Sequence, residues 1–142
     1  MFKLKKILNK HNNAPEYEKL LVSSDTICKP ENIYNLQEGN LTSYVDQSNN
    51  VRNYYVAYGT VGEFDAEREV VCTRITPDML FEVKPNSVAN VGSKFILNAL
   101  EDKLGFSGIS IVGSNDQSDG YVVDTSYYAT NGTVIVRFHC TQ

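Results

Sequence analysis

Asn131-Gly132-Thr133-Val134-Ile135-Val136-Arg137-Phe138-His139-Cys140 is the stretch on which the fold turns. Val134, Val136, Phe138 and Cys140 fall on one side of it, and Thr133, Ile135, Arg137 and His139 on the other. Successive Cβ atoms of a strand point to opposite faces, so this period of two marks a β-strand with one face in a core. Asn131-Gly132 ahead of it is a turn pair that tolerates positive φ. Residues 121–128 therefore read as the preceding strand, 113–120 as a polar loop, and 108–112 as the strand before that.

The pattern recurs upstream. Residues 33–36 and 41–45 flank Gln37-Glu38-Gly39-Asn40, a four-residue hairpin loop whose glycine can take the positive φ of a tight return. Within 51–61, Arg52, Tyr54, Val56 and Tyr58 share one face, and Tyr55 and Ala57 share the other. Further strands read over 19–24, 70–75 and 80–83, with Thr76-Pro77-Asp78 as a turn, and residues 91–97 read as a glycine bend into another strand. Residues 99–104 have room for one helical turn. Alanines number only 6, against 15 valines, 9 tyrosines and 6 phenylalanines taken together, a strand-forming composition. Eight or nine strands at a spacing of about 8–12 residues predict a mainly β fold, a compact antiparallel β-sandwich or β-barrel. The length of 142 residues, with 42% hydrophobic and 21% charged, suits one folded domain. No apolar run approaches the roughly 18–20 residues of a membrane-spanning helix, which excludes a membrane partner of that kind.

Charge is unevenly placed. Residues 1–19 carry five lysines against Glu16 and Glu18, a balance of +3, while the other 123 residues hold 8 basic and 15 acidic groups, a balance of −7. His11-Asn12-Asn13-Ala14-Pro15 is a polar break in which proline keeps Ala14 extended. The expectation is an extended basic N-terminal arm over 1–18 and a single β domain over 19–142, the arm meeting an acidic surface. Lys3, Lys5 and Lys6 interrupt the apolar residues of the first eight positions, so a secretory signal core is not expected. The acidic body argues against direct nucleic-acid binding, which needs a basic face to displace counterions.

No chemistry is spelled out. His11 sits in the arm, and His139 neighbours Cys140 but points to the opposite strand face, so the imidazole cannot easily activate that thiol. Cys28, Cys72 and Cys140 form no CxxC pair and read as reduced, mostly buried thiols. Glu63, Asp65, Glu67 and Glu69 crowd one connection and read as a solvated turn rather than a catalytic pair. Asn115, Gln117, Asp119 and Gly120 echo half of a calcium loop, but its twelfth position is Ser126 where a bidentate glutamate is needed. No phosphate-binding glycine motif occurs, so no cofactor, no metal and no catalytic residue is expected. Tyr54, Tyr58, Tyr127 and Tyr128 present amphipathic rings suited either to a protein interface or to half-buried sheet packing.

Taken together, the basic leader, the acidic β body, the segment Val71-Cys72-Thr73-Arg74-Ile75-Thr76-Pro77-Asp78-Met79-Leu80-Phe81-Glu82-Val83, the Val91-Gly92-Ser93-Lys94 bend and the closing Val134-Ile135-Val136-Arg137-Phe138 strand resemble the capsid decoration proteins of tailed bacteriophages and prophages. The resemblance implies a non-enzymatic virion structural protein, made in the host bacterial cytoplasm and bound to the outer capsid surface, with the major capsid protein as partner. It further implies that Phe2, Leu4 and Ile7 fill pockets in the shell while Lys3, Lys5, Lys6 and Lys10 meet its acidic residues, many copies acting together as dimers or trimers of the chain. The competing reading is a β-sandwich module that binds carbohydrate or peptide through loop tyrosines and the 115–120 loop.

Overall fold

The computed structural model describes residues 1–8, 14–43, 52–98 and 103–139. Among the described residues eleven strands are formed: β1 (Lys3–Ile7), β2 (Glu18–Val22), β3 (Ile33–Gln37), β4 (Asn40–Thr42), β5 (Tyr54–Ala57), β6 (Glu69–Arg74), β7 (Met79–Val83), β8 (Lys94–Asn98), β9 (Gly108–Val112), β10 (Gly120–Asp124) and β11 (Val134–Phe138). One helical turn, α1 (Tyr128–Asn131), precedes β11. The mainly β expectation holds, with two sheets in place of two simple layers.

The first sheet is a closed five-stranded barrel in the order β2-β4-β3-β5-β6, with β6 pairing back on β2. Its neighbours are antiparallel except β2 and β4. The β3–β4 hairpin is tighter than expected, because Gln37 pairs Asn40 and only Glu38 and Gly39 lie between them. Both have positive φ, 52° and 82°, the type I′ form whose twist matches that of the flanking strands.

The second sheet has six strands in the order β1-β7-β11-β10-β8-β9. Val134, Val136 and Phe138 of β11 are buried as the alternation requires. Cys140 lies outside the described residues. The Asn131-Gly132 pair does not make a two-residue hairpin. Asp124 Oδ1 instead accepts the Ser126 N–H at 2.8 Å, ending β10 four residues early, and Gly132, at φ 69°, caps α1 by donating its N–H to the Tyr128 carbonyl at 2.9 Å. The 99–102 part of the expected helical turn lies outside the described residues.

Strand β5 joins the two units. Its inward face, Tyr55 and Ala57, belongs to the barrel core with Val22, Cys28, Tyr34, Leu41, Val61, Val70 and Cys72. Its outward face, Tyr54 and Val56, belongs to a second core with Phe81, Phe95, Val122, Val136 and Phe138 of the sheet. The two faces legible in the sequence are thus both buried, because the sheet packs on the outside of the barrel. Phe138 is the hub of this second core, its ring 5.3 Å from Phe95, 5.8 Å from Phe81, 6.1 Å from Phe2 and 6.2 Å from Tyr54, centroid to centroid.

The extended arm is corrected here for the residues described. β1 pairs antiparallel with β7, and Phe2 and Ile7 are 0% and 1% exposed in the same core as Phe138. Burial of two large side chains against their own subunit removes them as pocket-filling anchors, since each gains more from the core than from water. A bulge between Leu4 and Lys6 explains why the sequence looked like a broken apolar run. The extra residue lets Leu4 and Ile7, three apart, both turn toward β7's packed side while the lysines stay in solvent. Lys10 and the 9–13 break lie outside the described residues.

Candidate functional site

Strand β1 is an outer strand of its sheet. The other outer strand, β9, is covered: Pro85 bridges Ile109, Asn86 N–H donates to the Ile109 carbonyl at 3.0 Å, and Asn86 Oδ1 accepts the Ile111 N–H at 3.0 Å. β1 carries Lys3, Lys5 and Lys6 exposed, with Leu4 half-buried. Lys5 Nζ lies 3.4 Å from Glu82 Oε1 on β7. The Thr133 hydroxyl donates to Glu82 Oε2 at 2.5 Å, and that hydrogen bond, followed by Lys5, holds the Glu82 carboxyl below its ordinary value. Lysines and a bulge are the devices that keep an outer strand from pairing indiscriminately with its like, and they leave a basic ridge on an acidic protein. Of the seven side chains expected to grip a shell, Lys3, Lys5 and Lys6 stand on this ridge, Leu4 is half-buried beneath it, and Phe2 and Ile7 are core.

The four interface tyrosines divide. Tyr54 is buried, and its hydroxyl donates to Asp119 Oδ1 at 2.9 Å, so it is corrected from interface to core. Burial and then the neighbouring Asp119 carboxylate push its phenol well above the ordinary range. Tyr58 is half-buried, and its ring meets the exposed Tyr17 edge-on at 5.6 Å. Tyr127 is 42% exposed ahead of α1, and Tyr128 packs partly against the larger core.

The outer barrel face shows what the sequence reading missed. Leu21 on β2, Val71 on β6 and Tyr17 just before β2 are 53%, 37% and 59% exposed. Phe64 is more exposed still, at 92%, on a turn closed by Asp65, whose Oδ2 accepts the Gly62 N–H at 2.7 Å. The Lys19-Leu20-Leu21-Val22 run held the signal. An unbroken apolar run in a strand puts successive members on opposite faces, and of Leu20, Leu21 and Val22 only Leu20 and Val22 pack against the barrel core.

The chemical candidates stay apart. His139 Nε2 is 3.1 Å from the Ser118 hydroxyl, and its ring lies 5.6 Å from that of Tyr121, all on the surface side of β10 and β11. Asp119 directs its carboxylate elsewhere, Oδ1 to the Tyr54 hydroxyl and Oδ2 to the Leu97 N–H at 2.9 Å. Cys28 and Cys72 are free and sealed in the barrel. Burial pushes their thiols up to about 11 and about 12, the reverse of what a nucleophile needs. Among the described residues no three His, Cys, Asp or Glu side chains gather in a group able to hold a metal ion. Glu63, Asp65, Glu67 and Glu69 are exposed, as a solvated connection requires. Among the described residues, a groove of about 470 Å³ lies between β1, β6 and β7, lined by Glu16, Glu18 and Asp78 against Arg74, with Thr73 and Thr76 beside them. Its surplus of carboxylates suits a cationic side chain more than an anion.

The geometry therefore offers three surfaces, the β1 ridge, the β2–β6 face and the acidic groove, and no assembled reaction centre among the described residues. Comparison with protein-family models, with curated proteins and with solved structures finds no match to this chain.

Proposed function

We propose that this chain is a non-enzymatic structural protein that docks on an acidic face of a larger protein assembly through β1, the capsid decoration role that the sequence resemblance implies, with the major capsid protein as its partner on the outer surface of the head. The observation that supports the reading is the gathering of Lys3, Lys5 and Lys6 on an outer strand of a chain whose remaining residues are net acidic. The contact differs from a free tether. Phe2 and Ile7 anchor β1 in its own subunit, so the ridge is presented rigidly, and less ordering entropy opposes docking. Lysines on a rim act mainly through complementary charge, which sets partner choice and on-rate. Repetition on a symmetric lattice makes weak single contacts hold.

The test is co-sedimentation of the purified chain with shells at increasing salt. A Lys3→Glu, Lys6→Glu double variant leaves the Lys5–Glu82 pair and the core untouched, and is expected to stay in the supernatant at a salt concentration where the parent pellets. Equal pelleting of both proteins removes the ridge from the contact. A second reading, a peptide-binding module, draws support from the groove lined by Glu16, Glu18 and Asp78. Binding of lysine-bearing peptides that Asp78→Asn abolishes, by a protein indifferent to shells, favours that reading instead.

A further inference from the structure

β2 and β6 run antiparallel with Lys19 opposite Val71 and Leu21 opposite Glu69. Directly paired residues project from the same side, so all four stand on the outer wall of the barrel, while Leu20, Val22, Val70 and Cys72 pack on its inside. Leu21 and Val71 are 53% and 37% exposed. Tyr58 flanks them on β5's side, its N–H donating to the Val71 carbonyl at 2.9 Å, and the Tyr17 ring leans on Tyr58. Lys19 and Glu69 are exposed, and neither belongs to an ion pair among the described residues. The patch is therefore apolar at its middle and carries one cation and one anion at opposite corners.

We propose that this face is where two copies of the chain meet, related by a two-fold axis lying in the plane of contact. Strands about 4.8 Å apart with a rise of about 3.4 Å per residue put Lys19 and Glu69 on one diagonal of the patch, about 8 Å apart, and Leu21 and Val71 on the other. An axis bisecting the first diagonal runs close to the second. Rotation about it lays Lys19 over Glu69 of the partner subunit and Glu69 over Lys19 of the partner subunit, while Leu21 and Val71 fall near their own equivalents. A self-complementary arrangement of this kind is what an isologous dimer requires. A uniformly acidic or basic foreign surface would instead repel one of the two corners, which is why the occupant is a second copy and not the assembly that β1 engages. The contact is small beside the roughly 800 Å² per partner of a stable interface, so the dimer is reversible and depends on concentration. It is independent of the shell-binding role, because β1 belongs to the six-stranded sheet and not to the barrel.

Sedimentation velocity of the full chain over a wide concentration range reads the proposal directly. The parent is expected to move from monomer to dimer as concentration rises. Lys19→Glu and Glu69→Lys each set like charges against each other at both corners and weaken the dimer about tenfold. An equimolar mixture of the two variants places Glu against Lys at both corners and restores association as a heterodimer. Leu21→Asp abolishes it. A parent that remains monomeric at every concentration overturns the proposal, as do single charge variants that associate as well as the parent, or a mixture that fails to recover. All three positions are exposed, and unchanged thermal melts of the variants establish that folding is intact.

Discussion

The barrel and the six-stranded sheet reach stability by different routes. The barrel is closed, and its core of nine residues includes two thiols and two phenols. Its interior is held by directed bonds: the Tyr34 hydroxyl accepts the Lys29 N–H at 2.8 Å and lies 2.9 Å from the Leu104 carbonyl. Arg68 fastens the outside of the same unit by donating to the carbonyls of Val22 at 3.2 Å, Ser23 at 2.8 Å, Thr26 at 2.6 Å and Gly62 at 2.8 Å. The sheet has an outer strand and a core of seventeen residues, all apolar apart from one tyrosine hydroxyl, organised around phenylalanine rings. A small closed cylinder has little interior to fill and leans on hydrogen bonds to fix its loops. A sheet laid on a neighbour gains chiefly from the area it removes from water.

Removing residues 1–7 should break this contrast most severely. The sheet then loses a strand together with Phe2 and Ile7, and the cost is expected to exceed the roughly 3–5 kcal/mol of a single buried Phe→Ala change. Chemical denaturation measures it; an unchanged midpoint would restore the free-tether reading of the leader. Next in size, Phe138→Ala should cost about 3–5 kcal/mol by emptying the ring cluster. Tyr34→Phe should cost about 1–3 kcal/mol by leaving the Lys29 N–H without its acceptor. If the order of these two midpoints is reversed, packing in the sheet and hydrogen bonding in the barrel have been assigned the wrong way round.

Alkaline pH sharpens the comparison from the barrel side. Cys28 and Cys72 keep their protons in the folded chain up to about 11 and about 12, while an unfolded thiol loses its proton near 8.5–9. Above pH 9 the unfolded state binds fewer protons than the folded one, so stability falls as pH rises. By pH 10 the loss is about 1–2 kcal/mol per thiol, and urea midpoints of Cys28→Ala and Cys72→Ala variants should show a flatter alkaline limb than the parent's. The smallest effect is at the hairpin. Glu38→Asn places a residue suited to positive φ at the first turn position and should raise stability by about 0.5 kcal/mol, read as an increase in melting temperature.

Much of the strand content was legible because period-two alternation is a local property. β9 lies where the sequence places it, and β11 buries the face that its alternation marks. Turn chemistry was less reliable: Asn131-Gly132 has the form of a hairpin turn, yet Asp124 and Ser126 close an earlier turn, and Gly132 serves a helix end. The basic ridge was visible as lysines but not as a strand, since the bulge in β1 suspends the alternation that identifies strands. Tyr17, Leu21 and Val71 escaped notice because about fifty residues separate the two strands that bring them together.

The amino-acid order by itself determined that this chain makes short strands, which side of most of them is apolar, and that its lysines collect near the start. Tertiary structure alone decided that both faces of β5 are buried, that Phe2 and Ile7 are core, and that Tyr54 is bonded to Asp119 instead of facing a partner. The reason is physical. Alternation marks a face as apolar, but whether that face meets solvent, a second sheet or another copy depends on pairing between strands far apart in sequence, and one residue of bulge is enough to change which side chains turn inward.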